Sequence, residues 1–86
     1  MRPLLHVLSV RHLGGHRLAV VFSNGSEREV DLADSLDGEV FEPLRDEAFF
    51  AQVYVDEETR TVAWPNGADL APEYLCEIGR EVARVT

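Results

Sequence analysis

Along the first third of the chain, apolar and polar residues alternate with a period of two, the spacing that lays one face of a β-strand on a core. Leu8 and Val10 follow this alternation between Leu5 and Leu13, and Gly14-Gly15 then offers a tight turn, so the stretch reads as the first arm of a hairpin. From His16 to Phe22 the residues Leu18, Val20 and Phe22 fall on one face and Ala19 and Val21 on the other, as expected of a central strand with both faces covered. A third strand, Ser26 to Leu32, puts Arg28, Val30 and Leu32 on one face and Glu27, Glu29 and Asp31 on the other.

The register of the second hairpin follows from burial. A two-residue Asn24-Gly25 loop would set Phe22 opposite Glu27 and Val20 opposite Glu29, bringing acids into the apolar row. A three-residue loop, Ser23-Asn24-Gly25, with Gly25 left-handed in a bulge, pairs Phe22 with Ser26, Val20 with Arg28 and Leu18 with Val30, and keeps even positions together.

Beyond Asp31 the alternation stops. An acidic, turn-rich run to Glu42 leads through Val40, Phe41 and Leu44 into a short helix expected near residues 45–51, with Leu44, Ala48 and one of Phe49 or Phe50 facing the sheet. Val53 to Val55 and Thr61 to Trp64 read as another hairpin about the polar Asp56-Glu57-Glu58-Thr59 turn. After Pro65-Asn66-Gly67 a helix is expected to start close to Pro72, a residue suited to the first turn. Leu75, Ile78, Val82 and Val85 keep helical spacing, and Gly79 either lies within that helix or ends it. Together these elements predict one α+β domain over residues 1–86, an antiparallel sheet of hairpins with one short and one C-terminal helix packed on it.

Charge changes the picture from fold to surface. Residues 1–30 hold four Arg against two Glu, a net +2, whereas residues 31–86 hold four Arg against fourteen acids, a net −10. Such a field repels nucleic-acid phosphates over most of the surface, and it either serves solubility alone or suits a basic partner. The chain has no Lys, which excludes lysine Schiff-base chemistry and a phosphate-loop lysine. One Cys cannot close an internal disulfide, and no stretch resembles a secretory signal or a membrane span, so a cytoplasmic protein is expected.

Candidate chemistry is sparse. His6, His12 and His16 match no metal-binding spacing, Cys76 lacks a paired His motif, and no cofactor is expected. Asp31, Asp34, Asp37, Glu39, Glu42, Asp46 and Glu47 do not fit a calcium loop and read as a solvated acidic face able to dock a basic protein. Trp64, Asn66 and Asp69 offer two readings. Either Trp64 and Asp69 line a recognition groove, or Trp64 packs in the core while Asn66-Gly67 turns the chain and Asp69 caps amides near the following helix. Arg11, Arg17 and Arg28 are the basic cluster that hairpin geometry would assemble, without the exposed aromatics of a nucleic-acid site.

Three segments, Leu18-Ala19-Val20-Val21-Phe22-Ser23-Asn24-Gly25, Val40-Phe41-Glu42-Pro43-Leu44, and Trp64-Pro65-Asn66-Gly67-Ala68-Asp69-Leu70-Ala71-Pro72-Glu73-Tyr74-Leu75, occur in an order that resembles the small bacterial proteins of domain-of-unknown-function family 2442. The resemblance covers about residues 7–78, and the Trp-Pro-Asn-Gly-Ala-Asp stretch is its most specific element. It implies a curved antiparallel sheet with helices packed on it and no particular activity. It also implies a gene neighbour encoding another small protein, as in a toxin-antitoxin or similar pair. Some relatives look fused to a C-terminal helix-turn-helix domain; this chain ends at Thr86, and DNA binding by that route is not expected. The expected function is therefore a non-enzymatic interaction domain, antitoxin-like or accessory, that docks a basic neighbour-encoded protein through Asp34, Asp37, Glu39, Glu42, Asp46 and Glu47. The alternative is a small-ligand or enzymatic domain using the Trp64 to Asp69 loop, and a homodimer through an exposed sheet edge is compatible with either.

Overall fold

The computed structural model describes residues 5–82. Strands β1 (Val7–Gly14), β2 (Arg17–Phe22) and β3 (Glu27–Asp31) form an antiparallel sheet with β2 between its neighbours. The β2–β3 register pairs Leu18 with Val30 and Val20 with Arg28, as burial required. Phe22 N donates to Ser26 O at 2.9 Å and Gly25 N to Phe22 O at 3.0 Å, closing the bulged three-residue loop. Gly25 sits at φ 88°, where a side chain would be strained.

The first hairpin departs from simple alternation. Its turn falls at Gly15-His16, one residue later than expected, since Gly14 still pairs with Arg17. A register shift between Val7 and Ser9 puts a bulge at Leu8, which rotates Val7 into the core and leaves Leu8 62% exposed. Leu8 therefore does not share the inward face with Val10. Its apolar character carried no information about which way a bulge would turn it.

The segment after β3 is less helical than its sequence suggested. A 3-10 helix over Glu42–Arg45 precedes the four-residue α1 (Glu47–Phe50), and the two are separated by Asp46, whose extended ψ of 119° breaks the path. Asp46 Oδ1 accepts from Ala48 N and so caps α1. One turn of helix buries one stripe: Leu44 and Phe50 are fully buried, while Ala48, expected to face the sheet, is exposed. Strands β4 (Tyr54–Asp56) and β5 (Thr61–Ala63) pair as a separate hairpin. Asp56 Oδ1 accepts from Glu58 N and Thr59 N to shape its turn. Val7 N donates to Arg60 O at 2.9 Å and ties this hairpin to β1.

Helix α2 (Pro72–Ile78) starts at its proline and stops at Gly79. Close approach fixes that stop. A Cβ on Gly79 would lie 2.8 Å from Leu75 O and 2.9 Å from Arg28 Cβ, so only glycine lets the helix end rest on β3. The chain then turns extended, and β6 (Arg80–Glu81) pairs with Arg28 and Glu29, adding a fourth strand that the helical spacing of Ile78 and Val82 had concealed. Both of those residues are exposed, at 39% and 36%; Val85, assigned to the same stripe, lies outside the described residues. The core gathers Val7, Leu18, Val20, Phe22, Val30, Leu32, Leu36, Leu44, Phe50, Val62, Trp64, Ala68 and Leu75 between the main sheet and the later elements.

Candidate interaction surface

Between β3 and α1 the acidic segment forms a compact Ω-shaped loop, Leu36 to Arg45, closed at its neck by one side chain. Arg45 Nε donates to Leu36 O at 3.2 Å, and Arg45 Nη2 lies 3.6 Å from Asp37 Oδ1. Leu36 and Leu44 are buried at the two ends, and Phe41 is half-buried against the core. Inside the loop, Gly38 at φ 95° turns the chain so that Phe41 N and Glu42 N both donate to Gly38 O. Loops whose ends meet and whose own side chains fill them hold a shape, and they are frequent carriers of function.

Neighbouring elements pin this loop from three sides. Asn66 Nδ2 donates to Val40 O at 2.8 Å, while Asn66 Oδ1 accepts from Ala68 N at 3.1 Å, so one amide joins the Trp64 turn to the loop's apex. His16 Nε2 lies 2.8 Å from Arg45 O and, as the donor, carries the proton on that nitrogen. Glu47 Oε2 accepts from Gly15 N at 2.9 Å, tying α1 to the first hairpin turn. On the far flank Tyr74 Oη and Ser35 Oγ are 3.1 Å apart, which brings α2 against the start of the segment.

These bonds divide the acidic candidates. Asp31 Oδ1 accepts from Ala33 N, Asp46 caps α1 and Glu47 holds Gly15, so all three serve the backbone. Asp37 pairs with Arg45 across solvent at 87% exposure, a geometry worth little by itself. Asp34, Glu39 and Glu42 are exposed, and their carboxylates make no hydrogen bond or ion pair among the described residues. Val40, 43% exposed, sits between the last two in sequence and has Asn66 on its carbonyl.

The second candidate group separates. Trp64 is fully buried, its Nε1 donates to Phe50 O at 2.9 Å, and its ring lies 5.6 Å from that of Phe50, so it presents no face to a ligand. Asp69 is exposed beside the isolated Ala63 bridge, and it does not cap α2, whose N-cap is Ala71 without a side-chain bond. His12 and His16 both set ring edges against Phe50, at 5.7 and 5.0 Å. Among the described residues no three His, Cys, Asp or Glu side chains converge on a metal position, and no helix is long and apolar enough to cross a membrane. Arg11, Arg17 and Arg28 do not form one cluster. Arg28 shares the inward row with Val20 and Val30 and donates to Gly79 O, whereas Arg17 lies on the opposite face paired with Glu29 at 3.2 Å.

Residue-type reasoning missed Arg45 and Tyr74. Arg45 did carry a signal, being the one cation between Arg28 and Arg60 in the most acidic part of the chain, where a lone guanidinium has carboxylates and carbonyls to organise. Tyr74 carried none, because nothing local shows that α2 will meet Ser35.

The class so defined is a small α+β domain, an antiparallel hairpin sheet carrying a pinned acidic loop. The chain belongs to domain-of-unknown-function family 2442, whose model, a protein of unknown function, matches residues 7–81. A search of curated proteins finds no match. Among solved structures the chain is similar to the crystal structure of the "putative DNA binding protein NE0471" from Nitrosomonas europaea, with a TM-score of 0.76 and 25% identity. That similarity covers 91% of this chain and 52% of the other, so the chain spans about half that protein's length.

Proposed function

We propose that this domain is a non-enzymatic protein-interaction module that docks a basic partner on the Leu36 to Arg45 loop, with the neighbour-encoded protein of a two-component pair as that partner. The observation that carries the reading is the division of labour within the loop. Arg45 and Asn66 hold its neck and apex, while Glu39 and Glu42, which flank exposed Val40 in sequence, and Asp34 just before the loop keep their carboxylates unengaged. A pre-shaped loop loses little conformational entropy on binding, and an apolar centre with a charged rim is a common interface layout. Charge supports a protein over a nucleic acid: the chain carries a net −8, and the face of the sheet that holds Arg11, Arg17 and Arg80 also carries Glu29 and Asp31, with Arg17 paired to Glu29. The DNA-binding description of the similar structure belongs to a longer chain, of which the matched region covers 52%.

Co-purification of the full chain with its gene neighbour, at low and high salt, tests the proposal. Binding at micromolar concentration that weakens as salt rises is expected, and it should be lost in a triple Asp34→Asn, Glu39→Gln, Glu42→Gln variant. Two proteins that ignore each other in low salt, or a triple variant that binds as well as the parent, would overturn it.

A further inference from the structure

The main sheet has two edges, and they differ. One is β6, only two residues long, a length that itself guards against pairing. The other is β1, with eight residues the longest strand. Backbone direction alternates along a strand, so the bonds already made show which groups of β1 are spoken for. Phe22 N donates to Ser26 O and Leu32 N donates to His16 O, so the even residues of β2 bond toward β3 and its odd residues toward β1. Ser9 opposes Val21 and Arg11 opposes Ala19, and these two residues of β1 therefore bond to β2. The N–H and C=O groups of Val10 and His12 point the other way, and no group among the described residues answers them. At one end the free edge stops at Val7, whose N–H already meets Arg60 O; at the other it stops at the Gly15-His16 turn.

We infer that this edge pairs antiparallel with the same edge of a second copy, making a two-fold dimer with a continuous eight-stranded sheet. The argument for a second copy is self-complementarity. The open stretch, Leu8 to His12, is centred on Val10, and Val10 is a residue whose donor and acceptor both point outward. A two-fold axis there makes Val10 and its counterpart a hydrogen-bonded pair. It sets Leu8 opposite His12 of the second copy and Ser9 opposite Arg11 of the second copy. The adjacent register, centred on Arg11, would place two guanidinium groups face to face, and cross-strand like charges oppose pairing. Leu8, turned outward by its bulge to 62% exposure and lining a cavity of about 390 Å³ with Val7 and Val55, gives the pair apolar surface to cover. The interface makes no use of the acidic loop and stands apart from the proposed docking.

Sedimentation of the full chain tests it. Because so short a strand pair gives a weak dimer, the mass should rise from 9.6 kDa toward twice that value only as the chain approaches millimolar concentration. Val10→Pro removes an outward N–H that the monomer does not use, so it should fold and stay monomeric. Ser9→Glu, facing Arg11 of the second copy, should tighten the dimer several-fold at low salt, and Ser9→Arg should loosen it by a similar factor. A single 9.6 kDa species at millimolar concentration, a Val10→Pro variant that still dimerises, or Ser9 variants that shift in the same direction would each overturn the pairing. If Val10→Pro fails to fold, the opposed Ser9 responses decide.

Discussion

The β1–β2–β3 sheet and the Leu36 to Arg45 loop are held by different physics. The sheet rests on buried side chains, with Leu18, Val20, Phe22 and Val30 all fully enclosed, so its stability is spread over many small contacts. The loop is bounded by two buried leucines, but its shape is set by a handful of named polar bonds from Arg45 and Asn66. Diffuse packing tolerates single conservative changes and resists gross ones. A loop held by two residues can be loosened by one substitution while the rest of the domain stays folded.

Substitutions should separate the two regimes, beginning where the effect is largest. Trp64→Ala removes the largest core side chain and one of the two hydrogen bonds that Phe50 O accepts, leaving Val53 N as its donor, and urea unfolding should show a loss of about 3–5 kcal/mol. Gly79→Ala forces a Cβ against Leu75 O and Arg28, and a loss of about 1–3 kcal/mol is expected, with faster amide exchange at Val82, whose N–H bonds Glu27 O across β6. Should Gly79→Ala be neutral, the close seating of α2 on β3 is wrong. Asn66→Asp keeps the acceptor for Ala68 N but loses the donor to Val40 O, so about 1 kcal/mol of stability and much of the loop's order should go. Nuclear magnetic resonance order parameters across residues 38–42 would report this. Arg45→Gln should cost less than about 1 kcal/mol, its ion pair being exposed, yet weaken partner binding well beyond that loss of stability. A binding loss no larger than the stability loss would remove the distinction between loop and sheet.

Much of the sheet was legible residue by residue. The three-residue loop at Ser23-Asn24-Gly25 followed from keeping Glu27 and Glu29 off the row of Val20 and Phe22, because a period of two leaves only two choices of face. The candidate surface was legible in part. The acidic run and Asn66 stood out, but composition could not say that the Asp46 and Glu47 carboxylates bond to backbone while those of Glu39 and Glu42 do not. Nor could it say that Asn66, 26 positions away, reaches Val40.

By itself, then, the sequence determined the period of β2 and β3, the register of the hairpin between them, the proline start of α2 and the acidic balance of the later segments, all properties of near neighbours. Tertiary structure alone decided the bulge that turns Leu8 outward, the end of α2 at Gly79, the recruitment of Arg80 and Glu81 into the sheet, and the closing of the acidic loop by Arg45. Each of these depends on how closely two distant pieces of backbone approach, and helical spacing in Leu75, Ile78 and Val82 cannot anticipate that β3 will lie 2.9 Å from where a Gly79 side chain would begin.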